Sequence, residues 1–275
     1  MPIKESMLKF LPDSVKAFVR MAHNKYKGGF FEPYVIRKRI SGATFDFFIG
    51  DWVGAEWYDT GKEDWIEMEF IRDHMVKKGD VVLECGGHHG LSTMLLSTWV
   101  GDTGKVITFE PTPSNLPILR KNLELNNIRN VQIEGKAVGS RNGTVDISKS
   151  SCAAVQSSRI GTIPIDLVPL DGYIGLKPTL LKIDVEGYEV EVLKGARTIL
   201  DTRPKLAIEI HTQLLGRYAS SLSDLLGHIP LKEYKCWVQW SDDQFPEPYD
   251  RSREIVDRVH LFAIPLPGEP TVAIG

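Results

Sequence analysis

The run VVLECGGHHG at residues 81–90 constrains the fold of this chain more than any other feature. A short apolar segment ends in Glu84, and a glycine cluster leads directly into a helical pattern, which is typical of a strand–turn–helix loop that holds a nucleotide. A dinucleotide-binding loop needs the spacing G-x-G-x-x-G. Counted from Gly86, its later glycines would fall at His88 and Leu91. The remaining pattern, E-x-G-x-x-x-G, suits a ligand with an ammonium group and does not select for phosphate.

Strands and helices alternate along the chain, which predicts a mostly parallel sheet covered by helices on both faces. The expected strands are 81–85, 105–110, 131–138, 144–148, 163–170, 180–184, 206–210, 234–240 and 259–265. The expected helices are 65–76, 90–100, 113–126, 187–201 and 222–228. The last two strands lack a clear crossover helix, so we expect an antiparallel last strand.

The residues before this pattern predict one or two short helices over 8–22 and a strand or two within 30–60. We therefore expect an N-terminal extension of helices and a cap over 1–60, followed by one domain over 61–275. Residues 1–40 carry nine Lys/Arg against three Asp/Glu. This basic segment is either a solvated helix face or a region that docks on an anionic membrane or a partner.

Composition narrows the class of protein. Cys85, Cys152 and Cys236 form no C-x-x-C pair, which indicates reduced thiols in a cytoplasmic protein without a zinc site. We find no signal-peptide pattern, and no apolar run approaches the roughly 20 residues of a transmembrane segment. The net charge is −3. An acidic body after residue 40 argues against nucleic acid as a partner, because phosphate contacts need Lys and Arg.

Four segments together resemble the FkbM-type methyltransferases, over about residues 55–265. They are VVLECGGHHG at 81–90, FEP at 109–111 with Asn115, LKIDVEGYE at 181–189, and AIEIH at 207–211. The resemblance implies a Rossmann-like class I fold and methyl transfer from S-adenosylmethionine (SAM) to a hydroxyl of a small molecule, natural product or sugar. Two departures are notable. The family usually has Asp where this chain has Glu84, and G-A-N-x-G where it has GGHHG, so that His88 introduces a group that ordinarily titrates near neutral pH.

The cofactor residues that we expect lie at the carboxyl ends of the strands. Glu84 is expected to accept a hydrogen bond from the SAM amino group, directly or through water. Glu110 is expected to accept both ribose hydroxyls, as carboxylates at this position also do in NAD proteins. The remaining expected contacts are the loop residues Gly86, Gly87, His88 and Gly90, then Pro111, and the backbone of Ala137 beside adenine.

Asp184 and Glu186 end a core strand beside the expected position of the methyl group. A hydroxyl acceptor needs a base. We expect His211 to be that base, with Asp184 or Glu186 orienting it; a core histidine bonded to backbone is the alternative. Asp184, Glu209 and His211 are also a candidate divalent-metal site, although a metal is not favoured.

Other functions remain open at this point. They are N-methylation of a small amine, a nicotinamide-dependent oxidoreductase, and a SAM-binding protein without catalysis. The acceptor pocket is expected from residues 1–60, 150–162 and 241–258, with Trp57 and Tyr58 as candidates to close one side. A homo-oligomer is possible on the sequence, but no pattern specifies it.

Overall fold

The structure is a computed structural model that describes residues 31–148 and 162–267. The expected helices over 8–22, most of the basic segment 1–40, Cys152 and nearly all of the loop 150–162 lie outside the described residues. The strands are β1 (Tyr34–Ile40), β2 (Ala43–Ile49), β3 (Val81–Cys85), β4 (Lys105–Phe109), β5 (Val131–Glu134), β6 (Ala137–Val138), β7 (Gly143–Ser148), β8 (Thr162–Val168), β9 (Leu180–Ile183), β10 (Lys205–His211), β11 (Tyr234–Gln239), β12 (Glu247–Pro248) and β13 (Arg258–Pro265). The α-helices are α1 (Trp52–Tyr58), α2 (Ile66–His74), α3 (Leu91–Val100), α4 (Asn115–Leu125), α5 (Glu189–Lys194), α6 (Arg197–Asp201), α7 (Thr212–Leu215) and α8 (Leu222–Gly227).

The central sheet of the described chain has eight strands in the order β12-β11-β13-β10-β9-β3-β4-β5. Strands β5, β4, β3, β9 and β10 run parallel, and β13 is antiparallel to both β10 and β11. The chain builds outward from β3 through β4 to β5 and then returns to β9 on the other side of β3. This reversal places the topological switch point at the carboxyl ends of β3 and β9, where α/β folds bind ligands. The Rossmann-like class I methyltransferase fold, with its antiparallel last strand, is confirmed.

Two expected elements are each divided in the structure. The strand expected over 131–138 is β5 of the central sheet and β6 of a separate three-stranded sheet, in the order β6-β8-β7. The helix expected over 187–201 is two helices, α5 and α6, separated at Gly195. A Cβ atom on Gly195 would lie 2.0 Å from the carbonyl oxygen of Gly139. The helix is therefore interrupted where its backbone packs directly against another segment.

The segment 31–60 packs against the central domain. Two strands, β1 and β2, lie where a strand or two was expected, and they form an antiparallel hairpin; helix α1 was not predicted. Asn122 of α4 and Asn126, the residue that follows α4, accept hydrogen bonds from the β2 backbone N–H groups of Phe48 and Asp46, at 2.6 and 3.0 Å. The apolar face of β2 joins the core that covers one side of the sheet. This packing brings α1 to the carboxyl ends of the parallel strands.

Within 31–148 and 162–267, no helix is both long and apolar enough to cross a membrane. Cys85 and Cys236 are buried free thiols.

Candidate functional site

Two adjoining cavities open at the carboxyl ends of β3, β4, β9 and β10. The smaller cavity has a volume of about 100 Å³ and the larger about 530 Å³. Both are lined by Trp57, Gly86, His88, Asp184 and Glu186. These shared residues form the boundary at which a group in one cavity would meet a group in the other.

The glycine loop after β3 is shaped by close backbone approaches. Gly86 has a φ of +96°, and a Cβ atom there would lie 2.0 Å from the backbone oxygen of Asp184. A Cβ on Gly87 would lie 2.2 Å from the Thr108 hydroxyl. The backbone N–H of Gly86 donates to the carbonyl of Phe109 at 2.9 Å. Only glycine therefore lets the loop sit between β4 and β9 and form the floor of the smaller cavity.

Glu84 does not reach either cavity. Its carboxylate is fully buried and accepts hydrogen bonds from the hydroxyls of Ser92 and Thr93, at 2.6 and 2.5 Å. Both hydroxyls lie in the first turn of α3. The structure therefore does not place the Glu84 carboxylate in a cavity where it could accept a hydrogen bond directly from the SAM amino group. The acid instead ties the end of β3 to the helix that follows the glycine loop.

Glu110 lies at the end of β4 and lines the smaller cavity. One carboxylate oxygen accepts from the backbone N–H of His88 at 2.7 Å, and the other accepts from the N–H of Thr112 at 2.8 Å and from Asn115. Burial raises the pKa of Glu110, although these hydrogen bonds oppose the shift. Pro111 and Ala137, the other expected contacts after β4 and β5, also line this cavity.

His88 separates the two cavities. Its ring stacks on His89 at a centroid distance of 4.0 Å, and its Nδ1 lies 2.7 Å from the Tyr58 hydroxyl. Burial, reinforced by the charge of His89, lowers the pKa of His88 to about 3. His88 is therefore neutral near pH 7, and the expectation that it titrates there is wrong. Trp57, with a ring centroid 5.0 Å away, covers it from α1.

Asp184, Glu186 and His211, the expected catalytic residues, all line the larger cavity. The Nε2 atom of His211 lies 3.7 Å from a Glu186 carboxylate oxygen. Glu186 has a φ of 55°, in the left-handed region that non-glycine residues rarely adopt. Such backbone strain often occurs at functional sites, where the surrounding structure enforces it.

His211 carries a raised pKa. Burial alone would lower it, but the hydrogen bond to Glu189 and the charges of Glu209 and Asp184 outweigh burial and raise the pKa to about 9. The Glu189 carboxylate is fully buried and lies 2.9 Å from His211 Nδ1. Sequence analysis assigned Glu189 no role. Its position in the LKIDVEGYE block was the available signal, but only the structure shows which histidine it reaches.

A network of buried charges forms the floor of the larger cavity, and sequence analysis also missed it. The Lys182 ammonium is almost fully buried, 3.9 Å from Glu67 and 3.8 Å from Asp184. Burial would lower the pKa of Lys182, but these carboxylates raise it. His260, also buried, lies 3.7 Å from the other Glu67 oxygen. Glu67 comes from α2, so no local pattern relates it to the strand residues.

The metal candidates differ from the expected set. Within the described ranges, the ligand atoms of Asp184, Glu186 and His211 lie within 4.8 Å of one another, as do those of Glu67, Glu209 and His260. Glu209, expected in the first group, instead accepts a hydrogen bond from Arg258 at 2.7 Å. Cationic side chains of the protein therefore already lie close to several of these carboxylates.

The order of the strands in the sheet, the glycine loop and the two adjoining cavities together define a class I methyltransferase architecture. The family described as "Methyltransferase FkbM domain" matches residues 84–236, more than half of the chain. The chain belongs to this family. Its matched segment lies within the central domain and contains the glycine loop, Glu110 and His211.

Two curated relatives are similar in sequence to part of this chain. Hexuronic acid methyltransferase AglP of Haloferax volcanii is 27% identical over 142 residues, which cover 49% of this chain and 57% of AglP. Methyltransferase 1 of Beauveria bassiana is 22% identical over 143 residues, which cover 42% of this chain and 57% of that protein. The chain thus matches little more than half the length of each. The crystal structure of a methyltransferase FkbM from Methylobacillus flagellatus aligns with a TM-score of 0.46 at 21% identity, over 70% of this chain and 45% of that one.

Proposed function

We propose that this chain transfers a methyl group from SAM to a hydroxyl of a small molecule or sugar. The observation that carries the proposal is the junction of the two cavities at Asp184 and Glu186. One cavity offers the features that a nucleoside needs, and the other offers His211 as a base. Membership of the FkbM methyltransferase family supports the same reaction.

The smaller cavity is the proposed SAM site. The Glu110 carboxylate would accept the ribose hydroxyls, and the backbone around Ala137 would contact adenine between the apolar side chains of Phe109 and Ile147. The sulfonium would lie beside Asp184 and Glu186, whose negative charge favours a cation. Glu84 would act indirectly by holding the first turn of α3.

The larger cavity is the proposed acceptor site. The acceptor oxygen attacks the methyl carbon in line with sulfur, the S–CH₃ bond breaks, and its electron pair stays on sulfur to give S-adenosylhomocysteine. The hydroxyl proton passes to Nε2 of His211. With a pKa of about 9, free His211 is mostly protonated near neutral pH, so it must lose a proton before it acts. Binding of the positively charged sulfonium nearby would lower that pKa and favour the neutral form.

A sugar is the favoured acceptor class. AglP, which matches over 142 residues, is named for the methylation of a hexuronic acid. The charged side chains on the floor of the larger cavity offer both donors and acceptors, which suits a molecule with several hydroxyls.

Titration calorimetry of the protein with SAM and with NAD tests this proposal. We expect SAM to bind, NAD to give no heat, and Glu110→Gln to weaken SAM binding at least tenfold, about 1.4 kcal/mol. Glu124→Gln, at an exposed position of α4, is the matched control and should bind as the wild type does. Absence of SAM binding with and without added magnesium, or equal affinities in both variants, would reject the proposed site.

A further inference from the structure

Glu189 lies behind His211, away from both cavities. Its Oε1 atom accepts from the backbone N–H of Gly187 at 2.9 Å and lies 2.9 Å from Nδ1 of His211. Its Oε2 atom is buried without a hydrogen-bond partner in the described part of the chain. Glu189 lines neither cavity, whereas His211 lines the larger one. The hydrogen bond to His211 therefore links Glu189 to a side chain that lines the larger cavity.

The contact fixes the direction of the imidazole ring. An ionised carboxylate can only accept, so Nδ1 of His211 donates to Glu189. When the ring is neutral, its lone pair is then on Nε2. This nitrogen faces Glu209 at 3.5 Å and Glu186 at 3.7 Å, two residues that line the larger cavity. The basic nitrogen is thus on the side where the acceptor would bind.

We propose that Glu189 is the positioning residue of His211: it keeps the proton on Nδ1 and directs the lone pair of Nε2 into the larger cavity. The position of the proton on Nδ1 does not depend on the proposed function. Only the use of the Nε2 lone pair, which is to receive the proton of the acceptor hydroxyl, rests on it. This role of Glu189 replaces the expectation that Asp184 or Glu186 orients His211. Glu186 approaches Nε2, which is the reacting side, and Asp184 lies beyond ion-pair distance of the ring in the described structure.

A buried carboxylate behind a histidine is an effective orienting group because the hydrogen bond is protected from water and the acceptor is charged. Glu189 is fully buried, and its hydrogen bond from Gly187 holds the carboxylate in place. The ionisable groups around the pair come from several segments. They are Asp184, Glu186, Tyr218, Glu209 and Arg258.

The test is a pH titration of the full chain, labelled with ¹⁵N at histidine, by long-range ¹H–¹⁵N NMR, with His211→Asn used for assignment. In the wild type we expect Nδ1 to remain protonated after His211 becomes neutral. Glu189→Gln keeps an acceptor but removes the charge, so the pKa of His211 should fall by at least about one unit. Glu189→Leu removes the acceptor, and the Nε2-protonated form should appear.

Glu186→Gln is the matched control, because it removes a carboxylate on the opposite side of the same ring. It should leave the proton of neutral His211 on Nδ1. The proposal is overturned if neutral His211 carries its proton on Nε2 in the wild type, or if Glu189→Leu leaves it on Nδ1. Circular dichroism of each variant checks that the fold is retained, and Glu189→Gln provides the charge-only comparison if the leucine variant is unfolded.

Calorimetry with SAM on the same samples separates the two proposals. A wild type that keeps the Nδ1 proton but does not bind SAM would support the role of Glu189 and reject the proposed function. A wild type that binds SAM while neutral His211 is protonated on Nε2 would reject the role of Glu189 alone.

Discussion

The two cavities are built in different ways. The smaller one is lined mainly by short runs of residues at strand ends, with Gly86 and His88 following β3 and Glu110 and Pro111 following β4. The larger one depends on charged side chains that converge from distant elements. They are Glu67 of α2, Lys182 of β9, Glu209 and His211 of β10, and Arg258 and His260 of β13.

This difference determines how each cavity should respond to amino-acid substitution. The glycine loop beneath the smaller cavity has little freedom, because a single atom added at Gly86 meets the main chain of Asp184. A site of paired charges can lose one side chain and keep its shape, while its protonation changes. Substitutions in the smaller cavity should therefore act on stability and cofactor affinity, and substitutions in the larger cavity should act on rate and pH dependence.

Gly86→Ala should give the largest effect. The new Cβ would lie 2.0 Å from the Asp184 oxygen at a φ of +96°, so β3 and β9 must separate or the loop must move. We expect a loss of about 3–5 kcal/mol in the free energy of unfolding, measured by urea denaturation, together with loss of SAM binding. Gly216→Ala is the control, because no atom lies within 4 Å of its added Cβ. Equal stability of the two variants would show that the close approach does not constrain the loop.

His211→Asn should lower the rate without weakening cofactor binding. We expect methyl transfer to fall by about 10²–10⁴-fold while SAM binds at least as tightly as to the wild type, measured by single-turnover kinetics and calorimetry. In the wild type, kcat/KM for SAM should rise with pH and level off above the pKa of about 9 of the free protein, because only neutral His211 accepts a proton. A rate that is independent of pH between 6 and 9, or unchanged in the variant, would place the base elsewhere.

Tyr58→Phe should give the smallest effect. It removes the hydroxyl that lies 2.7 Å from Nδ1 of His88 and leaves the aromatic ring in place. We expect a stability loss of about 1 kcal/mol and a SAM affinity lowered by less than tenfold, because one hydrogen bond at the boundary is lost. A change in SAM affinity as large as that of Glu110→Gln would mean that His88 binds the cofactor directly.

The sequence predicted the sheet well because each core strand is a short apolar run bounded by turn residues. Strands β3, β4 and β9 lie within a residue of their expected bounds, and β13 is antiparallel as expected. The errors occurred where tertiary packing decides the outcome. Gly195 divides a helix because another backbone passes beside it. The stretch after β5 leaves the central sheet to pair with β8.

The site was only partly predictable for a related reason. Glu110 and the glycines follow strand ends, so the local sequence pattern was enough to predict that they lie near a ligand site. The contacts of Glu189, Lys182 and His260 depend on strand register and on packing between distant elements, which no local spacing encodes. The same limit affected Glu84, whose partners Ser92 and Thr93 were visible in the sequence but not as hydrogen-bond donors.

A crystal structure of the protein with S-adenosylhomocysteine would test the central claim most directly. The account predicts the ribose hydroxyls within hydrogen-bond distance of the Glu110 carboxylate, and the sulfur at the junction of the two cavities beside Asp184 and Glu186. A ligand bound with its ribose away from Glu110, or with its sulfur outside that junction, would contradict it.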